Sequence, residues 1–138
     1  MSLEDLHLNL RNLTSDDYEQ LKSLMDAVYH DIGGAWPKHT IDKLIQEFPD
    51  GQIAIEDDGV LVGVALTVQV DYDEFSNPHK YDDLIGHREI ILNNPEGDAM
   101  YGLDVLIHPD YRGYRLGRRL YEARKELCRS LNLRAILA

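Results

Sequence analysis

A strand, helix and strand pattern in the last third of this 138-residue chain most constrains the fold it can adopt. Residues 100–107 form an apolar run that is typical of a buried central strand. A connection rich in turn formers and arginine follows, and after it comes a well-patterned helix. The apolar face of this helix consists of Leu116, Leu120, Ala123, Leu127 and Leu131. Asn132 ends the helix, and residues 133–138 predict one more strand. A strand, helix and strand in this order favour a parallel pair with a right-handed crossover.

Patterns upstream of this unit predict the remaining elements. Residues 6–11 alternate apolar and polar side chains, which indicates a half-buried strand. Thr14 opens a helix in which Asp17 stands three residues further on, close to a capping box. A second short helix is predicted from about Thr40 to Phe48, and residues 52–70 read as a β-hairpin. The predicted order is β-α-α-β-β-β-α-β, an α/β (α+β) fold with a mixed central sheet.

The segment 71–98 is the least regular part of the chain and carries eight acidic and two basic side chains. A short helix near Lys80–Ile85 and a strand near Glu89–Leu92 are predicted there. Residues 71–75 lack the glycine and the spaced glutamate of a calcium loop, so we interpret them as an acidic surface turn. No repeat or linker divides the sequence, and its length suits one domain over residues 1–138.

Composition and missing motifs exclude several classes of protein. One cysteine, Cys128, rules out a disulfide framework, and six scattered histidines show no metal-ligand spacing, so no metal site is expected. The N-terminus lacks the pattern of a signal peptide, and no apolar stretch approaches the ~20 residues of a membrane helix. We therefore expect a soluble, cytoplasmic protein without a membrane partner.

Charge is distributed unevenly along the sequence. The net charge is −11, but residues 1–103 carry −15 and residues 104–138 carry +4. The acidic total argues against nucleic acid as a partner and hints at a cationic small molecule or basic peptide. The basic quarter indicates either a face that meets an anion or a solvated basic helix.

The junction between the apolar strand and the long helix is the strongest candidate for a site. A helix N-terminus exposes unpaired N–H groups and the positive end of a dipole. Gly113 and Gly117 would let a phosphate approach the backbone, and neighbouring arginines would supply charge. This arrangement suits a pyrophosphate; the alternative is a tight turn with solvated arginines.

The same junction resembles a known motif. Residues 107–120 are similar to the acetyl-CoA motif of the Gcn5-related N-acetyltransferases (the GNAT family), in which Arg/Gln-x-x-Gly-x-Gly/Ala lies between a strand and a helix. Arg112 matches the first position of that motif and Gly117 its last. The order of the predicted elements upstream also matches the family, so the resemblance covers the whole chain.

The resemblance implies roles for particular residues. In this family the end of the fourth strand pairs with the pantetheine arm of acetyl-CoA, and the following loop and first helical turn bind the pyrophosphate. The implied cofactor-binding residues are Val105, Leu106, Ile107, Arg112, Gly113, Tyr114, Arg115, Leu116, Gly117 and Arg118. The acceptor amine enters beside the loop between the first two helices, which makes Tyr29 and Trp36 candidate substrate contacts. Simple packing of the loop explains Trp36 equally well.

Two positions depart from the family pattern at the chemical centre. Arg115 stands where the motif has its first glycine; its backbone can still donate there if its φ is negative. Some members carry a glutamate on the fourth strand, on the face shared with Ile107, where alternation reaches Tyr101 but no carboxylate. Asp104 has the opposite parity, although a β-bulge would turn it inward. Tyr101 and Asp104 are the candidate catalytic residues, with His108 a weaker one, and a water chain is the other route for the proton.

The C-terminus is the largest departure. The family fold continues past the fifth strand with another helix and two strands, whereas this sequence stops at Ala138. We therefore expect a domain that lacks those C-terminal strands: either the chain is a fragment of a longer protein, or a partner supplies the rest. An exposed last strand could also pair with a second copy in a homodimer. Residues 33–37 and 118–128 also resemble the corresponding segments of acetyltransferase domains found ahead of a nitrilase-type carbon–nitrogen hydrolase.

The function implied by the resemblance is an acetyl-CoA-dependent N-acetyltransferase. The acceptor would be a primary amine, on a small molecule or a peptide, that attacks the thioester directly in a ternary complex. The alternative is a non-catalytic CoA-binding, regulatory or assembly domain of a larger protein. The missing general base and the missing C-terminal elements favour that alternative.

Overall fold

A mixed β-sheet organises the molecule, which is analysed as a computed structural model with residues 6–29, 36–75 and 93–137 described. The strands are β1 (Leu8–Asn12), β2 (Ile53–Asp57), β3 (Val60–Val70), β4 (Ala99–Ile107) and β5 (Ala135–Leu137). The helices are α1 (Tyr18–Tyr29), α2 (Lys38–Glu47), the single turn α3 (Tyr72–Phe75) and α4 (Leu116–Ser130). The strands lie side by side in chain order, antiparallel from β1 to β4, while β4 and β5 are parallel. The predicted fold class and the predicted parallel pair are confirmed.

Most element boundaries lie within two residues of their predicted positions. The hairpin turn between β2 and β3 has φ values of 48° at Asp58 and 85° at Gly59, the left-handed geometry that fits a tight hairpin. Within the acidic segment 71–75, residues Tyr72–Phe75 form the single helical turn α3, in which Asp73 and Glu74 are exposed, as the predicted acidic surface turn requires. The helix predicted near residues 80–85 and the strand predicted near 89–92 lie outside the described residues.

Two apolar layers cover the two faces of the sheet. The larger core packs α1 and α2 against β3 and β4, with Leu21, Met25 and Leu44 all at most 1% exposed. On the other face α4 contributes Leu116 and Leu120 to a smaller cluster, whose sheet residues are Ile53, Ile55, Val62 and Ala65. Burial of each such aliphatic side chain contributes roughly 1.5–3 kcal/mol.

The predicted apolar face of α4 is only partly correct. Leu116 and Leu120 are buried, but Leu131 is 39% exposed and Arg124 is only 4% exposed. Arg124 fits because Gly102 on β4 leaves room for it: a β-carbon on Gly102 would lie 2.7 Å from Nη1 of Arg124. No helix in the described ranges is both long enough and apolar enough to cross a membrane.

A charged network fastens β1 to the start of α1. Arg11 donates to both carboxylate oxygens of Asp17 at 2.8 and 2.9 Å and to Glu56 at 2.9 Å. Asp17 also accepts the Thr14 N–H at 2.7 Å, as the predicted capping box requires. Asp17 is 6% exposed, and its hydrogen bonds to Arg11 lower the pKa of its carboxyl below the ordinary 3.8.

We predict that Asp17→Asn lowers the free energy of unfolding at pH 7 by about 1–3 kcal/mol, because Arg11 loses a charged partner. The depressed pKa means that the carboxylate stabilises the fold above pH 3.8 and ceases to do so as pH falls through its folded-state pKa. The difference between variant and wild type should therefore shrink in acid, as measured by urea unfolding across pH. The exposed neighbour variant Asp16→Asn is the matched control. A pH-independent difference would contradict the prediction.

Candidate functional site

A β-bulge in β4 decides which side chains reach the α1 face of the sheet. Leu66 pairs with Asp104 and Thr67 pairs with Gly102, so Leu103 is an extra residue. Tyr101 and Leu103 lie in the core under α1 and α2, and beyond the bulge it is Leu106 that lies there. Ile107 belongs to the opposite cluster beneath α4. The parity of the strand therefore changes at the bulge, and Asp104 is on the α1 face despite its position in the sequence.

The Asp104 carboxylate is the centre of a hydrogen-bonded cluster. Its Oδ2 accepts from the Tyr29 hydroxyl and, at 3.0 Å, from the Trp36 indole N–H. Its Oδ1 accepts the backbone N–H of Val105 at 3.0 Å. Burial raises the pKa of Asp104 to about 6, although the Val105 N–H and the nearby positive charge of Arg124 act in the opposite direction. A carboxylate in this state is ionised at neutral pH and can still take up a proton.

Three of the four predicted catalytic and substrate-contact residues thus meet, although they come from three separate parts of the chain. Trp36 is 1% exposed, and its backbone is tied to α1 because its carbonyl accepts from the Tyr18 hydroxyl at 2.8 Å. Its backbone N–H also contacts the Met25 sulfur at 3.1 Å. Packing therefore accounts for the Trp36 ring, while the indole N–H reaches the carboxylate.

The remaining catalytic candidates have different surroundings. Tyr101 is 6% exposed and lies in the core, and its catalytic role stays a prediction. His108 donates its backbone N–H to Val62 at 2.9 Å, and its Nδ1 accepts the Asp110 N–H at 3.1 Å. These contacts give His108 a structural role in the turn after β4.

Sequence reasoning missed the buried guanidinium of Arg124. Its Nε–H donates to Thr67 Oγ1 at 2.9 Å, and its Nη2 donates to the carbonyls of Leu66 and Asp104 at 2.8 and 3.0 Å. Burial lowers the pKa of Arg124 to about 10, so the group stays charged at neutral pH. Its spacing of four from Leu120 places it on the buried face of α4, which is the signal that could have revealed it.

The edge of β4 beyond the bulge is open on one side in the described structure. β5 pairs only with residues 99–101 of β4, and Val105 is 42% exposed. Because the His108 N–H points to β3, alternation directs the backbone groups of Ile107 and Val105 away from β3 and those of Leu106 towards it. Val105 and Ile107 can therefore offer backbone hydrogen bonds to an extended ligand, whereas Leu106 cannot.

The loop after β4 corrects one expectation. Donation from the Arg115 backbone was expected only if its φ is negative. The structure gives Arg115 φ 62° and ψ 29° instead. This left-handed geometry is the one that favours glycine, the residue type that the motif has at this position. Gly113 is likewise at φ 90°. The loop is fastened at its other end by the Tyr111 hydroxyl, which donates to Asp57 at 2.5 Å.

The start of α4 fits a phosphate group. The Arg119 N–H is the first to reach a carbonyl one turn back, that of Arg115 at 3.1 Å, so the N–H groups of residues 116–118 have no helical acceptor. A β-carbon on Gly117 would meet nothing within 4 Å, which leaves space for close approach to the backbone. A cleft of about 540 Å³ adjoins this turn and is lined by Leu8, Tyr114, Arg115, Arg118, Arg119 and Glu122. Arg112 is also exposed beside the loop.

Metal ligands are not clustered in the part of the chain that the structure describes: no group of three or more His, Cys, Asp or Glu side chains could hold an ion there. Cys128 is half-buried, and burial raises the pKa of its thiol, which disfavours the nucleophilic thiolate.

Comparison with known proteins adds three findings. The chain is 33% identical over 128 residues to the "Probable hydrolase YhcX" of Bacillus subtilis, a match covering 93% of this chain and 25% of that protein. It is 25% identical over 133 residues to the "Uncharacterized N-acetyltransferase YkwB" of the same organism, covering 94% and 59% respectively. The crystal structure of the loading GNATL domain of CurA from Lyngbya majuscula matches with a TM-score of 0.69 and 25% identity, covering 84% of this chain and 55% of that one.

The chain therefore spans about a quarter of the length of the first bacterial relative and about three fifths of the length of the second. The model of the acetyltransferase (GNAT) family matches residues 9–138, nearly the whole sequence. The order of strands and helices agrees with the order on which the resemblance rested, and Arg112 and Gly117 of the motif flank the loop at the start of α4. The chain belongs to the GNAT acetyltransferase family.

Proposed function

We propose that this chain is an N-acetyltransferase that moves the acetyl group of acetyl-CoA to a primary amine by direct attack in a ternary complex. The observation that carries the proposal is the Asp104 carboxylate, held on the α1 face by Tyr29 and Trp36 and adjacent to the exposed Val105. A proton acceptor and an open strand edge thus occupy consecutive residues, which would place the base close to a thioester bound at that edge.

The cofactor-binding part of the proposal rests on the edge of β4 and the start of α4. Val105 and Ile107 would bind the pantetheine arm through their backbone groups. The N–H groups of Leu116, Gly117 and Arg118 would bind the pyrophosphate, with Arg112 and Arg115 contributing charge. Gly113 and Tyr114 would shape the loop, and Leu106 would contribute packing rather than hydrogen bonds.

In the proposed reaction the amine nitrogen attacks the thioester carbon, the carbon–sulfur bond breaks, and the CoA thiolate leaves. Asp104 accepts the proton that the amine loses. The Val105 N–H polarises the thioester carbonyl, and in doing so it leaves Asp104 Oδ1, to which it donates at 3.0 Å. Because that hydrogen bond lowers the pKa of Asp104, its loss makes the carboxylate a stronger base when the thioester is in place.

A second candidate function has its own support. The relative that is 33% identical is named a probable hydrolase, and the match covers only 25% of it. The chain would then act as a CoA-binding regulatory or assembly domain within a longer protein, with residues 1–138 as its unit. CoA binding without turnover would distinguish this candidate from the enzyme.

We predict that Asp104→Asn lowers kcat/KM by at least about 100-fold, because an amide cannot take up the amine's proton. In the wild type, kcat/KM should rise with pH through about 6, the pKa of Asp104, because only the ionised carboxylate is a base. The measurement is CoA thiol release with a panel of amines across pH, beside calorimetry of CoA binding. Asp16→Asn serves as the control for the lost charge. If the wild type binds CoA but releases no thiol with any amine, the regulatory function is favoured instead.

We predict that Gly117→Val weakens CoA binding by at least about tenfold, since its side chain would fill the space that a phosphate needs at the helix start. Stability should not fall, because valine has a higher helix propensity than glycine. Calorimetry and thermal melting measure the two effects. Gly117→Ala is the matched control and should retain binding, since the family motif accepts alanine there. Unchanged affinity in the valine variant would place the phosphates elsewhere.

We predict that Arg115→Gly retains CoA binding and raises the free energy of unfolding by about 1 kcal/mol, because glycine adopts a φ of 62° without strain. Gly113→Ala makes the opposite change at φ 90° and should destabilise the protein by a similar amount. Denaturant unfolding and calorimetry test both variants. Complete loss of CoA binding in Arg115→Gly would show that the guanidinium, and not the backbone, is needed at this position.

A further inference from the structure

We propose that Arg124 is a positioning residue, which holds the β4 bulge closed and so keeps the Asp104 carboxylate on the α1 face beside Tyr29 and Trp36. The inference deepens the proposed function and rests on the role given there to Asp104. It concerns a side chain on α4, on the opposite face of the sheet from the carboxylate.

The hydrogen bonds that Arg124 makes to the described residues are all at the bulge. Nη2 donates to the carbonyls of Leu66 and Asp104, which are register partners on the two strands. Nε–H donates to Thr67 Oγ1, on the residue where the register shifts. One guanidinium therefore binds both strands at the place where regular pairing is interrupted.

An apolar residue at this position could not replace Arg124. Leu66 and Asp104 would lose a charged donor to their carbonyls, in a region where water has little access. Lysine would preserve the charge but offers a single nitrogen, which cannot reproduce the fixed fork of the guanidinium. Gly102 completes the arrangement, because any β-carbon there would lie 2.7 Å from Nη1.

The backbone carbonyl and the side-chain carboxylate of Asp104 are thus held by different elements. Its carbonyl accepts from Arg124 on the α4 side, and its carboxylate accepts from Tyr29 and Trp36 on the α1 side. Among the described residues, the charged or titratable groups that act on the carboxylate are the Tyr29 phenol from α1, which donates a hydrogen bond to it, and the Arg124 guanidinium from α4, whose positive charge lowers its pKa. If the bulge relaxed, strand alternation would return Asp104 to the other face, away from its partners.

The chain contains one tryptophan, so fluorescence reports on this carboxylate directly. The experiment follows Trp36 emission against pH in the full chain, for the wild type, Asp104→Asn, Arg124→Met, Arg124→Lys and Lys125→Met. Lys125 is the matched control, because it is the next residue on α4 and carries the same charge. Its ammonium is not buried against the sheet but pairs with Glu122 on the same helix. The kcat/KM values and melting temperatures of the same variants are measured in parallel.

We expect a transition in the wild type and in Lys125→Met that is absent from Asp104→Asn. In Arg124→Met the transition should disappear or fall to the ordinary aspartate range of about 4, and kcat/KM should fall by about 100-fold. Arg124→Lys, which keeps the charge and is the variant more certain to fold, should show the same change to a smaller extent.

Opposite results would overturn the proposal. A transition in Arg124→Met at or above the wild-type midpoint means that the carboxylate has stayed in place and has only lost a nearby positive charge. No transition in the wild type means that Asp104 does not titrate beside Trp36. Failure of the proposed function is a separate outcome: Asp104→Asn would then abolish the fluorescence transition and leave kcat/KM unchanged.

Discussion

A charged guanidinium buried between a helix and the sheet links the two faces of this molecule. Among the described residues, the hydrogen bonds of Arg124 reach no carboxylate; its donors meet Thr67 and the carbonyls of Leu66 and Asp104. Charge-assisted hydrogen bonds contribute roughly 1.5–3 kcal/mol each, and desolvating an ion costs several kcal/mol, so the group adds little net stability. Its effect is on conformation. The bulge that it binds sets the parity of β4, and that parity puts Asp104 within reach of α1.

The same guanidinium changes how the basic C-terminal quarter is understood. Of its eight positive side chains, Arg124 is buried in the fold, and Lys125, Arg129 and Arg134 pair with neighbouring carboxylates. The four that surround the loop and the start of α4 are Arg112, Arg115, Arg118 and Arg119. The count of positive side chains in this segment therefore overstates the charge available to an anion. The four basic side chains that remain are concentrated at one turn.

Hydrophobic periodicity was enough to predict the strands and helices whose apolar residues recur at regular spacing. β2 and β3 lie within the predicted hairpin 52–70, and α4 begins at Leu116, the first residue of the predicted apolar face, because burial on one or both faces leaves a strong pattern in these segments. The bulge at Leu103 leaves no such pattern, since it depends on pairing with a strand about 40 residues away in the sequence. The left-handed Arg115 was missed for a related reason: residue type favours negative φ there, and the geometry of the loop overrides it.

The sequence predicted which residues belong to the site, but not that their side chains meet in one cluster. Tyr29 and Trp36 were selected for their place beside the first helices and Asp104 for its charge, and nothing in their spacing joined them. What joins them is the packing of α1 over β4, together with a one-residue bulge that reverses parity at one point of the strand.

The consecutive residues Asp104 and Val105 have complementary roles in the proposed reaction: Asp104 accepts the proton of the amine, and the Val105 N–H polarises the thioester carbonyl. In a regular strand their side chains face opposite sides of the sheet, yet the backbone N–H of one residue lies beside the carboxylate of the other. A thioester that takes this N–H removes a hydrogen bond that stabilises the charged carboxylate, so binding of one reactant raises the basicity required by the other. Such coupling needs no conformational change. It needs only that the strand keep its bulge, whose two strands are both bound by the buried Arg124 on the far face.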